Sequence, residues 1–101
     1  MGVFIKAGAV SDVPPGRSKL VALGGKRIAL FNVKGTIHAI EDACPHMGGP
    51  LSDGDLTGSV VTCPWHAWGF DVTSGANPDE PEIRVRMFPV KVEGGDVLVE
   101  I

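Results

Sequence analysis

The stretch Cys44–Phe70, CPHMGGPLSDGDLTGSVVTCPWHAWGF, decides how the rest of the chain is read. It carries the only two cysteines, Cys44 and Cys63, and two of the three histidines, His46 and His66. They form two mixed pairs, Cys-Pro-His and Cys-Pro-Trp-His, with residues 47–62 between them. Thiolate and imidazole are the common soft and borderline metal donors, and each pair sits in a glycine-rich or aromatic-rich loop. Pro45 and Pro64 fix φ and remove a backbone donor beside each thiolate. Gly48, Gly49 and Gly69 allow sharp turns and a close backbone approach. This is the layout of a metal site. A disulfide between the cysteines would leave both histidines unexplained, and no secretory signal accompanies it. A Cys2His2 zinc site uses the same donors, but finger-type spacing puts the cysteines in one knuckle and the histidines in another. A thiol enzyme would need a marked base–nucleophile pair, which is missing. His38 lies in the alternating run Thr-Ile-His-Ala-Ile and reads as an ordinary strand side chain.

The stretch closely resembles the C-x-H, spacer, C-x-x-H signature of Rieske iron–sulfur proteins. The resemblance implies one [2Fe–2S] cluster, with Cys44 and Cys63 on one iron and His46 and His66 on the other. Neutral imidazoles in place of two thiolates make adding an electron less unfavourable and raise the potential. It also implies an all-β fold: an antiparallel sandwich or barrel over about residues 1–42 and 83–101, with a small cluster-binding subdomain, about 43–82, inserted into it. Residues 76–81 fall where the family places a proline loop over the cluster; the alternative reading of this proline-bounded segment is a simple surface connection.

Working outward, 101 residues make one domain, and 44% hydrophobic content supports a modest core that a bound cluster would help to stabilise. Fourteen glycines and eight prolines between short apolar runs point to short strands and tight turns. The pattern predicts strands at 3–6, 19–23, 26–33, 36–40, 59–62, 70–72, 83–92 with a break near Pro89, and 97–101. Gly24-Gly25 marks a hairpin, Lys34-Gly35 a second turn, and residues 51–58 a polar, turn-rich connection. No apolar run approaches the length of a membrane span, and the N-terminus lacks the basic lead-in of a signal peptide. Cysteines committed to a metal add to this, and the expected location is the cytoplasm.

With all four ligands supplied by protein, no position is open for substrate, so the expected role is electron transfer without catalysis. Oxygenase large subunits of the family add a mononuclear-iron domain; this chain ends before one could fit. The resemblance is nearest to the ferredoxin components of bacterial aromatic-ring dioxygenase systems. It implies a carrier, monomeric when free, that takes electrons from a flavin-dependent NAD(P)H reductase and passes them to a terminal oxygenase or another redox acceptor. Nucleic acid and membrane are not expected partners. The alternatives are a small Rieske subunit of a nitrite reductase and, in a different class, a non-redox zinc-binding interaction module. The net charge of −3 is uneven: Glu41, Asp42, Asp53, Asp55, Asp71, Asp79, Glu80 and Glu82 lie in an interval without Lys or Arg, while the other four acids share the outer part with all nine basic residues. That predicts an acidic face around the metal loops. Trp65, Trp68, Met47 and Pro50 are expected to supply an apolar rim, with at least one tryptophan packed inside.

Overall fold

The computed structural model describes residues 2–43, 49–65 and 68–101. Within them the protein is all-β, with strands in three antiparallel sheets and two short 3-10 turns at Val10–Asp12 and Leu51–Asp53. The first sheet orders β1 (Phe4–Ala9), β10 (Asp96–Glu100) and β9 (Val90–Glu93). The second orders β2 (Ser18–Leu23), β3 (Lys26–Val33), β4 (Thr36–Glu41) and β8 (Met87–Phe88). The third, β5 (Asp55–Thr57), β6 (Val60–Thr62) and β7 (Gly69–Asp71), is built wholly from the segment between β4 and β8.

Local chemistry sets the hairpins. Gly24 and Gly25 take φ of 56° and 77° and join β2 to β3, with Leu23 opposite Lys26. Two successive positive φ values match the right-handed twist of the flanking strands, and glycine reaches them without a Cβ penalty. The β3–β4 turn does the same with Lys34 at φ 53° and Gly35 at 93°. Buried Asn32 braces it, accepting from the Gly35 amide at 2.7 Å and donating to the Val13 carbonyl at 2.7 Å.

β3 is the wall between two cores. Ala29 and Phe31 face one core with Ile40, Leu51, Val61, Cys63, Phe70, Val72 and Val85. Ile28 and Leu30 face the other with Val13, Val21, Ile37, Ala39, Phe88, Val97 and Val99. Side chains alternate along a strand, so a run buried on both faces reads Ile-Ala-Leu-Phe and not as an apolar–polar alternation. The second core binds the first sheet to the second. The first core binds the third sheet to β3 and positions the metal loops.

Three expected elements differ. The first strand extends to Ala9, because β1 pairs with β10 through a bulge between Lys6 and Gly8 that carries the ladder on through Gly8 and Ala9. Residues 51–58 are not merely a connection: Asp55–Thr57 pairs with β6, Leu56 opposite Val61. One apolar residue between two glycines gives no period to read, so pairing creates this strand. The run 83–92 divides further than expected. Only Arg84 makes a bridge, to Ala76, and Pro89 separates β8 in the second sheet from β9 in the first. Proline has no amide for a ladder bond, which makes it the natural residue at the switch.

Candidate metal centre

Of the expected ligands, Cys63 is described; Cys44, His46 and His66 lie outside the described residues, as do Met47 and Gly48. Cys63 follows β6 directly, where Val61, in register with Phe70, is packed into the first core. Its side chain is buried, with 1% of the residue accessible, and belongs to that core. The Cys63 amide donates to the Trp68 carbonyl at 2.7 Å, which closes the second loop at its base.

The first loop is closed just as tightly. Asp42, whose side chain is fully buried, accepts the Ser52 amide on Oδ1 at 2.6 Å, and its own amide donates to the Arg27 carbonyl at 3.0 Å. Ser52 is held in turn by Ser18 Oγ, which donates to its carbonyl at 2.8 Å. Entry to and exit from the segment 43–51 are thereby fixed to β3 and β2. The Arg27 guanidinium stands 3.6 Å from Asp42 Oδ2, which meets no hydrogen-bond donor among the described residues. The guanidinium is exposed and the pair is looser than a bidentate one, so the Ser52 bond supplies the directional hold.

The loops meet at Gly49. It is buried, and a Cβ there would stand 2.7 Å from Cys63 Sγ and 3.2 Å from two ring carbons of Trp65. Only a residue without a side chain lets the exit of the first loop lie against the thiol and the indole. Gly54 is pressed in the same way onto the Thr62 carbonyl. A water-excluded thiol in a glycine cradle, followed within three residues by His66, suits a soft-metal or iron–sulfur group.

Trp65 projects into solvent at 61% exposure, whereas Trp68 is half-buried against the first core. One tryptophan is thus packed and the other stands at the surface beside the loop, with half-buried Pro50 at the end of the first. His38 lies on β4 opposite Phe31, an ordinary strand position.

The acidic interval divides by burial. Glu41, Asp53, Asp55, Asp79, Glu80 and Glu82 are exposed, while Asp42 is buried against Arg27 and does not add to the face. Asp71 is half-buried; desolvation pushes its pKa up, but hydrogen bonds from the Thr73 hydroxyl and amide and from Ser59, with the nearby His38, outweigh this and hold it below the ordinary carboxylate value.

Two residues that organise the site were not singled out by sequence. Asp42 looks like any other acid of the interval until its burial is seen. Asn77 had a readable signal, since Asn-Pro-Asp-Glu is an Asx-turn composition. Among the described residues no group of three or more metal-ligating side chains converges, as expected when three of the four candidate donors fall outside them.

Residues 3–89 match the Rieske [2Fe-2S] domain model, and the chain belongs to that family. It is 38% identical over 99 residues to the biphenyl dioxygenase ferredoxin subunit of Pseudomonas sp. (strain KKS102), covering 96% of this chain and 91% of that one. Among solved structures, it resembles a chain from the complex of reduced oxygenase and oxidized ferredoxin in carbazole 1,9a-dioxygenase. That likeness has a TM-score of 0.88 and 34% identity, covering 97% of this chain and 93% of the other. It is also similar to the putative NADH-dependent nitrite reductase small subunit from Mycobacterium tuberculosis, with a TM-score of 0.90 and 28% identity, covering 100% and 96%. The group for the site is therefore a Rieske-type [2Fe–2S] cluster, which sets the zinc module aside.

Proposed function

We propose, from membership of the Rieske [2Fe–2S] family, that this protein is a free one-electron carrier that accepts electrons from a flavin-dependent NAD(P)H reductase and delivers them to a terminal oxygenase. The observation that carries the reading is the near end-to-end likeness to a dioxygenase ferredoxin subunit, over 96% of this chain and 91% of that one. Cys44 and Cys63 hold one iron and His46 and His66 the other, each loop giving one ligand of each kind. Residues 43–82 form the cluster-binding part and residues 1–42 and 83–101 the part that carries it. When bound, the cluster supplies a one-electron couple.

The described residues serve that couple by position. The Asp42–Ser52 and Cys63–Trp68 hydrogen bonds fix the loop bases, and the Gly49 contact locks the loops together. Fixed bases restrain movement between oxidation states, which lowers the reorganisation accompanying transfer. Exposed Asp53 and Asp55 share a cleft with Cys63 and Trp65, and Asp79 and Glu80 one with Trp68, and this negative charge beside the second loop steers the carrier toward basic docking surfaces. No helix among the described residues is long and apolar enough to cross a membrane, and a carrier between reductase and oxygenase works in the cytoplasm, as a monomer between encounters.

Electron paramagnetic resonance of the reduced protein tests the reading. A mixed His/Cys [2Fe–2S] signal is expected, and a colourless, silent protein would sink it. The nitrite reductase reading rests on the Mycobacterium tuberculosis likeness, at lower identity than the dioxygenase relatives. Stable co-purification with a large sirohaem-containing subunit would replace the carrier reading with that one. Association rates with the reductase should fall as ionic strength rises, and a flat dependence would leave the acidic face a solubility role only.

A further inference from the structure

We infer that Asn77 is a positioning residue for the metal centre, tying the segment 77–83 to the second ligand loop through its carboxamide. Asn77 is buried, and both ends of its carboxamide and its own amide are hydrogen-bonded. Its Nδ2 donates to the Gly69 carbonyl at 3.0 Å. Its Oδ1 accepts the amides of Asp79 and Glu80, each at 2.9 Å, and its own amide donates to the Ile83 carbonyl at 2.9 Å. The Oδ1 bonds and the backbone bond close the segment on itself; the Nδ2 bond ties the closed segment sideways to β7.

Gly69 follows Trp68, whose carbonyl closes the Cys63 loop. From the Asn77 carboxamide to the base of the second loop is therefore one hydrogen bond and one peptide unit. A cleft of about 210 Å³ lies between the two segments, lined by Trp68, Gly69, Asn77, Asp79 and Glu80. At the far end of the segment, Ile83 packs against the core that contains Cys63 and also receives Trp68. The exposed carboxylates of Asp79, Glu80 and Glu82 ride on the segment, so Asn77 also decides where that charge stands relative to Trp68.

The position requires a carboxamide. Aspartate keeps two acceptors for Asp79 and Glu80 but sets an oxygen against the Gly69 carbonyl. Alanine removes both functions. The two variants therefore separate closure of the segment from its attachment.

The inference rests on reading the two loops as cluster-bearing, and the experiment keeps the two failures apart. Wild type, N77A, N77D and the charge control E82Q are purified with cluster. Each is followed by electron paramagnetic resonance, midpoint potential and hydrogen exchange over residues 68–83. In N77A the Asp79 and Glu80 amides should exchange roughly tenfold faster, the change that accompanies loss of about one net hydrogen bond. Its g-values and potential should move from wild type by more than those of E82Q. In N77D those amides should stay slow while the g-values shift as in N77A, which locates the effect in the bond to Gly69. Cluster loss from a variant whose strands remain protected also supports the inference. Resonance and potential unchanged in N77A, with only a lower melting temperature, would overturn it, as would wild-type g-values in N77D. A wild-type protein without the mixed-ligand signal would instead refute the cluster reading.

Discussion

Replacing Gly49 with alanine tests whether the two loops touch as tightly as the structure indicates. The new Cβ would stand 2.7 Å from Cys63 Sγ, where ordinary contact needs 3.4 Å or more, and 3.2 Å from two carbons of the Trp65 ring. The indole is exposed and can yield, but the sulfur is buried and its backbone is held by Trp68. Overpacking of this kind costs about 1–3 kcal/mol. Gly49 lies outside the left-handed region, so alanine recovers about 0.4–1 kcal/mol of that by restricting the unfolded chain. The difference is a loss of about 0–2.6 kcal/mol, centred near 1.3, and the centre corresponds to roughly 5–10 °C in melting temperature for a domain of this size. Gly69→Ala is the control: its Cβ would press only on Val60 Cγ1, at 3.1 Å, and the methyl of a half-buried side chain can shift. Thermal melting of both variants, with cluster absorbance and electron paramagnetic resonance, checks the argument. If Gly49→Ala carries a full cluster with wild-type g-values and melts within about 2 °C of Gly69→Ala, roughly the shift for a few tenths of a kcal/mol, the contact does not constrain the loops and the reasoning fails.

Four further outcomes concern the ligands, the potential, Phe70 and Asp71. Replacing Cys44 or Cys63 with Ser, or His46 or His66 with Ala, should abolish or destabilise the cluster absorbance, while His38→Ala, on β4, should leave it intact; the opposite pattern at His38 and His46 refutes the ligand set. High-potential Rieske proteins resembling this one place a serine and a tyrosine at the positions of Trp68 and Phe70; neither residue offers a hydroxyl, so the midpoint should lie on the order of −150 mV, and a value above about +200 mV would contradict this. Phe70 is fully buried in the core that holds Cys63, so Phe70→Tyr should raise the potential if its hydroxyl reaches a cluster sulfur. Asp71 is partly desolvated, but the Thr73 and Ser59 hydrogen bonds prevail and lower its folded pKa. Its stabilisation is fully present above the ordinary aspartate value and is lost as pH falls through the lower folded value, so Asp71→Asn should flatten the acid limb of a stability–pH curve below about pH 4, and an unchanged limb would show the bonds are not formed.

The sequence by itself determined the kind of cofactor and most of the outer strands. Two cysteines and two histidines in mixed pairs name their donors whatever the surroundings, and paired glycines or a run such as Ile-Ala-Leu-Phe act through their own backbone and side-chain preferences. What only the tertiary structure decided are features whose cause lies elsewhere in the chain. β5 exists because β6 offers it a ladder, and β1 reaches Ala9 because a bulge against β10 restores the register. Gly49 is required by the position of Cys63 Sγ, which sequence places fourteen residues away and folding brings into contact. Asp42 and Asp53 are the same residue type in the same acidic interval, yet one is buried against Arg27 and the other faces water. Burial is a property of the packed assembly and not of the side chain, and for that reason the roles of Asp42 and Gly49 are visible only in the fold.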